Sequence, residues 1–186
     1  MMTETKDGKA EIAKRIADVA LLRGTFTLRS GRTSSFYLDK YLFSTQPDVL
    51  QRLGEMFAKS IRDEGSVTKL AGAELGGIPL VTAASLASGI PCVFIRNQKK
   101  DYGTAKQLEG VLKAEDRVVI VEDIATTGGQ VLEAAKVVTA TGAKVVMIIA
   151  TIDRMEGARE NIEGAGFRFE SLFTIRDLGI SPAEQK

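Results

Sequence analysis

The sequence predicts an α/β fold, a parallel β-sheet flanked by helices. Three observations carry this. Val118 to Val121 are four consecutive β-branched apolar residues, the pattern of a strand buried on both faces. Ala143 to Ile152 is a second strongly apolar run, ending at Asp153-Arg154. From about residue 47 onward, strand and helix patterns alternate, as they do in strand–helix–strand units.

In chain order, residues 9–23 predict an amphipathic helix, with Ile12, Ile16, Val19 and Leu22 about one turn apart and Gly24 as its stop. Phe26 to Lys40 reads as two short strands around a turn at Ser30-Gly31. Arg29, Arg32 and Lys40 make this stretch basic. Phe36 and Tyr37 are strand neighbours and so face opposite ways, one toward the core and one toward a ligand, unless both simply pack. Pro47 to Asp63 predicts a helix with proline at its start and Leu50, Leu53, Phe57 and Ile61 on one face. Lys69 to Ala73 is a short strand, and Glu74 to Pro79 a glycine turn into a helix ending near Ala87. Two glycines there let backbone approach a ligand closely, a second candidate anion cradle. Pro91 to Ile95 is another strand.

Arg96 to Gly110 is long, polar and basic, with no clear apolar period. A loop of that length in a compact domain is usually functional or disordered. Arg96, Lys99, Lys100 and Lys106 are placed to close over a polyanion, with Gly103 and Gly110 as hinges; the plainer alternative is a solvated hairpin. After the strand at Val118, Gln130 to Ala140 predicts a helix. Gly157 to Glu163 is helical, Phe167 to Phe173 alternates like an edge strand, and Ile175 to Ile180 is a short tail.

Composition narrows the function. A chain of 186 residues is expected to form one domain with a sizeable core. The formal net charge of +1 gives no global field for nucleic acid. There is no apolar run of membrane-spanning length and no secretory apolar region at the N-terminus, so the cytoplasm is expected. The single cysteine, Cys92, lies in an apolar run and reads as an inert buried thiol. The absence of histidine excludes Ser-His-Asp and Cys-His nucleophilic systems and histidine-ligated zinc. Any metal should be a hard, oxygen-liganded ion such as Mg²⁺.

The chemistry concentrates at Glu122 to Gln130. Glu122 and Asp123 stand where the central strand should end, followed by Thr126, Thr127, Gly128 and Gly129 in a small polar turn. Strand, turn and helix N-terminus make an anion site of backbone N–H groups and threonine hydroxyls. Carboxylates repel phosphate, so the acidic pair must serve something else, and ionised carboxylates suit a sugar diol. Each feature alone is more often ordinary, a solvated pair or a plain turn. Together, at the carboxyl end of a buried strand, they point to a ribose 5-phosphate site. Neither Gly-x-x-x-x-Gly-Lys-Ser/Thr nor a Gly-x-Gly-x-x-Gly opening a helix after a strand is present.

This central stretch resembles the phosphoribosyl pyrophosphate motif of type I phosphoribosyltransferases: apolar strand, two acidic residues, two variable positions, then a Thr/Gly-rich loop. Other stretches narrow the resemblance to the orotate phosphoribosyltransferase family. Phe26 to Lys40 is similar to its Leu-x-Ser-Gly-x-x-Ser-x-x-Tyr block, and Gly72 to Pro79 to its pyrophosphate-contacting turn. Arg96 to Gly103 with Glu109-Gly110 resembles its catalytic loop, and Asp153-Arg154 falls where that family places an arginine on the base. The likeness runs from about residue 10 to 180.

The resemblance implies roles residue by residue. Glu122 and Asp123 would hold the ribose hydroxyls, and Ala125 to Gly129 would wrap the 5-phosphate, with Ile124 and Gln130 at its edges. Arg96, Asn97, Lys99, Lys100 and Tyr102 would serve the pyrophosphate, Lys100 joining Glu122 and Asp123 as catalytic, and the loop would act at the partner subunit's site of a homodimer. Thr126 and Arg154 would contact orotate, with Phe36 and Tyr37 beside it and Arg29 near base and pyrophosphate. Mg²⁺ would be held mainly by substrate. About 1–45 would form an N-terminal helix and a hood over the base. Tyr102 stands where the family often has histidine, Asn97 where a lysine commonly follows the arginine, and Gly76 where some members have lysine. Two rival readings are a type I enzyme for another base and a non-catalytic phosphoribosyl pyrophosphate sensor. Arg154 argues against the first, since arginine pairs a carboxylate in a bidentate fork. Arg96 and Lys100, with no basic stripe, argue against the second.

Overall fold

The computed structural model describes residues 6–27, 31, 33–97, 107–181 and 184. Strands β1 (Leu21–Thr27) and β2 (Thr33–Leu38) form an antiparallel hairpin apart from the main sheet. The main sheet contains β3 (Lys69–Ala73), β4 (Cys92–Ile95), β5 (Leu108–Glu109), β6 (Arg117–Ala125), β7 (Lys144–Asp153) and β8 (Phe169–Thr174). Its order is β5-β4-β3-β6-β7-β8, and every pairing is parallel except β4 with β5.

The helices are α1 (Lys6–Ala20), α2 (Lys40–Ser44), α3 (Pro47–Glu64), α4 (Gly77–Ser88), α5 (Gly129–Thr139) and α6 (Ala158–Gly164). Two apolar cores lie on opposite faces of the sheet. One gathers Ile16 of α1, Phe57 of α3 and Leu80 of α4 against Val119, Val121 and Ile149. The other gathers Val131 and Ala135 of α5 and Ile162 of α6 against Val118, Ile120 and Ile148. This is why the central strand is apolar without alternation: its even and odd positions each meet a helical layer. Each Val, Leu, Ile or Phe among them contributes roughly 1.5–3 kcal/mol by leaving water.

The connection from β3 through α4 leads to β4 on one side, and that from β6 through α5 leads to β7 on the other. The order therefore reverses between β3 and β6. At such a reversal the loops at the strands' carboxyl ends diverge and leave a crevice.

Several elements differ from the sequence reading. The first helix ends at Ala20 rather than Leu22 or Arg23, because Leu21 already pairs with Leu38 in the hairpin. The hairpin's first strand thus begins before Phe26, with a bulge between Arg23 and Phe26. The short helix α2 was not foreseen; Asp39 caps it by accepting from the Tyr41 amide at 3.0 Å. The tail contains a 3-10 turn, Ile175–Leu178, whose Ile175 and Leu178 are buried in the first core. Cys92 is half-buried, since alternate residues of β4 face a less covered side.

Candidate active site

The acidic pair does not terminate its strand, as the sequence had suggested, but lies inside it. β6 continues to Ala125, because β7 runs alongside and pairs Glu122 with Ala150 and Ala125 with Asp153. On the other side the last paired residues are Gly72 and Val121, and β3 ends at Ala73. Beyond that point Asp123 faces the turn from Glu74 to Gly77 instead of a strand. Its carboxylate lies so close to Gly76 that a Cβ there would be 1.7 Å from Asp123 Oδ2. Position 76 therefore has no room for a side chain in this arrangement.

Both carboxylates are buried, Glu122 5% and Asp123 3% exposed. Asp123 Oδ1 accepts from the Ile124 amide, and Lys40 Nζ sits 2.8 Å from Oδ2. Burial pulls the Lys40 ammonium down, but the hydrogen bond and charge of Asp123 outweigh it, so its pKa is raised. Glu122 Oε2 is buried without a hydrogen-bond partner. Burial, then the charge of Asp123, pushes Glu122 well above the ordinary carboxylate range, against the pull of Lys40. Lys40 was read from sequence only as part of a basic stretch, and no local pattern links it to Asp123.

After Ala125 the chain turns through Thr126, Thr127 and Gly128 into α5. Gly128 adopts φ +81°, and a Cβ there would lie 2.9 Å from Ile162 Cγ1 of α6. The Thr127 carbonyl accepts from Asn161 Nδ2 at 2.9 Å, which ties the turn to α6. No side chain caps α5, so its first amides keep their donors for a ligand.

One strand over, the Arg154 amide donates to the Ala125 carbonyl at 2.9 Å, locking the ends of β7 and β6 together. Asp153 Oδ1 accepts from the Met155 amide at 2.7 Å and turns the chain at that point. The Arg154 guanidinium lies 5.6 Å from the centre of the Phe36 ring, within cation–π range. Its Nε is 2.8 Å from Glu156 Oε1, an ion-pair distance, although the N–H is not directed at a partner. Glu156 is a site residue the sequence reading missed; its signal was an acid two places beyond the arginine.

Of the residues expected at a base, Phe36 is buried and meets Arg154, whereas Tyr37 is 43% exposed. The Tyr37 ring lies against Phe26 at 5.7 Å on the hairpin's other side. The base of the basic loop is firmly anchored. The Arg96 amide donates to the Gln107 carbonyl at 2.8 Å, Gln107 Nε2 to the Arg96 carbonyl at 3.0 Å, and the Asn97 amide to Glu74 Oε1 at 2.7 Å. Glu74 thereby joins the loop to the turn beside Asp123. Arg29, Arg32, Gly103, Lys99, Lys100, Tyr102 and Lys106 lie outside the described residues.

Among the described residues no group of three or more His, Cys, Asp or Glu side chains is placed to hold a metal. The hard oxygens here are those of Glu122 and Asp123, which suits Mg²⁺, an ion commonly bound through one or two carboxylates and substrate phosphates. Among the described residues, no helix is long and apolar enough to cross a membrane.

A family model described as a phosphoribosyl transferase domain matches residues 43–174. The orotate phosphoribosyltransferase of Methanocaldococcus jannaschii is 40% identical over 173 residues, covering 92% of this chain and 97% of that protein. A crystal structure of Mycobacterium tuberculosis orotate phosphoribosyltransferase with Fe(III) dicitrate superposes with TM-score 0.84 at 31% identity, covering 92% of this chain and 99% of that one. The same enzyme in complex with 5-phospho-α-D-ribosyl 1-diphosphate gives TM-score 0.78 at 30% identity, with the same coverage.

Proposed function

The chain belongs to the orotate phosphoribosyltransferase family, and from that premise we propose how its own residues move a 5-phosphoribosyl group from phosphoribosyl pyrophosphate to orotate. The products are orotidine 5′-monophosphate and pyrophosphate, a step of pyrimidine nucleotide synthesis. The observation that best supports the assignment of roles is the shared edge at the β3–β6 reversal. There the buried pair Glu122-Asp123, the uncapped start of α5 and the Arg154 guanidinium project from adjacent strand ends.

Each group has a distinct task. The turn Ala125 to Gly129 holds the 5-phosphate on backbone amides and the hydroxyls of Thr126 and Thr127, with Ile124 and Gln130 flanking it. Glu122 and Asp123 accept from the ribose hydroxyls. As the bond from C1 to pyrophosphate breaks, the ring gains positive charge, and these carboxylates, fixed in a dry site, stabilise it. Arg154, stacked on Phe36 and braced by Glu156, pairs with the carboxylate of orotate, and Thr126 reaches the base. We assign Arg29 to the base and pyrophosphate, and Tyr37 with Phe36 to the base.

Orotate arrives as an anion, so its attacking nitrogen needs no strong general base from this histidine-free chain. Arg96, Asn97, Lys99, Lys100 and Tyr102 serve the pyrophosphate, Lys100 as a catalytic residue. They do so at the partner's site of a homodimer, closing over the reactants and excluding water that would hydrolyse the activated sugar. Mg²⁺ would be held mainly by the substrate's phosphates and would neutralise charge on the pyrophosphate. We place the enzyme in the cytoplasm, as one unit spanning residues 1–186 with a hood over the base at about 1–45.

Incubating the protein with phosphoribosyl pyrophosphate, Mg²⁺ and each of orotate, uracil, hypoxanthine and adenine tests the assignment. Nucleotide should form from orotate alone. A purine nucleotide in the absence of any orotate product would sink it.

A further inference from the structure

We propose that Lys40 is a substrate-binding residue that exchanges partners. It pairs with Asp123 before phosphoribosyl pyrophosphate binds and passes to the pyrophosphate group when it does, an inference that rests on the reading above. Lys40 opens α2, and its backbone is pinned on the N-terminal side. The Asp39 amide donates to the Ala20 carbonyl at 2.9 Å, and the Asp39 carboxylate caps the Tyr41 amide. From that anchor the side chain crosses to the β3–α4 turn, passes over the Tyr41 ring at 5.6 Å, and ends 2.8 Å from Asp123 Oδ2. Its Cδ would lie 3.3 Å from a Cβ at Gly76, so its stem runs along the glycine turn. That turn opens α4, a helix of 12 residues without a side-chain cap. A cation is thus set beside the N-terminus of α4, where the Ile78 amide already donates to the Leu75 carbonyl and Pro79 has no N–H, so the ammonium and the helix dipole are what an anion gains there.

Asp123 cannot serve a sugar while this arrangement persists. One oxygen is taken by the Ile124 amide, and the other is enclosed by Lys40 and Gly76 in a carboxylate only 3% exposed. An ammonium left on Asp123 would also offset the carboxylate's charge just as the ribose ring turns cationic. A pyrophosphate carries more negative charge than one carboxylate and is the stronger partner for an ammonium. Its arrival on the Gly76–Gly77 side draws Lys40 away and opens Asp123 to the ribose hydroxyls. The orphaned Glu122 Oε2 is then the acceptor a second hydroxyl satisfies. Gly76 is what permits the exchange, since any side chain there would occupy the path of the Lys40 stem.

The test is calorimetric binding of inorganic pyrophosphate and of ribose 5-phosphate, each with Mg²⁺, to the full chain and to Lys40→Met, which keeps the stem and loses the charge. Pyrophosphate affinity should fall about tenfold or more, equivalent to ~1.4 kcal/mol, while ribose 5-phosphate affinity does not fall, because the substitution itself frees Asp123 of the ammonium. Unchanged pyrophosphate affinity, or equal losses for both ligands as expected of a merely structural ion pair, overturns the proposal. Lys40→Arg keeps the charge and should hold pyrophosphate affinity within about threefold. A loss there as large as that expected of Lys40→Met overturns it independently of whether Lys40→Met folds. Nucleotide formation from orotate by the unaltered chain judges the underlying reading separately, because the binding ratio requires no base.

Discussion

Glu122 is buried beside a second carboxylate, with one oxygen unpartnered, and its pKa is raised by burial first and by Asp123 second. An acid that holds its proton more tightly in the folded chain favours folding below the pH at which the unfolded chain ionises, near 4.5. That contribution is lost as pH rises through the folded value. Glu122→Gln cannot ionise and escapes the loss. It should be more stable than the parent at pH 7–8 by on the order of 1–3 kcal/mol, and the difference should close as pH falls toward the ordinary glutamate value. Urea unfolding of both proteins at matched pH checks this, and a pH-independent difference would refute it. At Arg154 the expected effect is on binding. The guanidinium is fixed by Phe36 on one face and Glu156 at Nε, so Arg154→Ala should weaken orotate binding on the order of 10- to 100-fold, the scale of a lost charge-assisted pair. Phosphoribosyl pyrophosphate should bind within about threefold of the parent. Equal losses for the two ligands would make Arg154 a brace for the end of β7 instead.

The turn between β6 and α5 shows how one element depends on another. Gly128 sits at φ +81° with α6 pressed against it, so an alanine meets both a left-handed backbone and Ile162. Gly128→Ala should therefore destabilise the protein by about 1–2 kcal/mol. It should also weaken ribose 5-phosphate binding, because relief of the clash moves the amides that hold the phosphate. Thermal unfolding and phosphate-ligand titration test the two effects together; a variant of unchanged stability and affinity would show that the turn tolerates a side chain. The sequence located this element well because every contributing signal is local: the β-branched run, the acidic pair, the threonines and the glycines. It misplaced the end of β6, since the pairing that carries the strand through Glu122 and Asp123 comes from β7, and a neighbour's length leaves no mark on the strand itself. Helix α2 escaped notice for a related reason. Its five residues have too short a period to read, and its cap, Asp39, lay inside what looked like the end of a strand.

Across the whole molecule, the reversal between β3 and β6 brings together residues from the hairpin, α2 and three strand ends, and none of those long-range meetings has a sequence signature. Lys40 on Asp123 and Phe36 under Arg154 are the two clearest cases. What the sequence did convey is a long basic stretch from Arg96 to Gly110, although it left unseen that Leu108 and Glu109 at its end pair with β4. The structure anchors its base through Arg96, Gln107 and the Asn97–Glu74 contact. In the proposed homodimer that loop serves the partner's site, which mixing of two defective chains can decide. Lys100→Ala impairs the loop and Asp123→Ala the sugar site, so each homodimer should be nearly inactive. In a mixed dimer one site combines the intact loop of the Asp123→Ala chain with the intact sugar site of the Lys100→Ala chain, while the other site carries both defects. Random exchange makes about half the dimers mixed, each with one good site of two, and about a quarter of wild-type activity should return. Tagged chains establish that exchange has occurred. If it has and the activity stays absent, the loop acts on its own subunit and each chain holds a complete site.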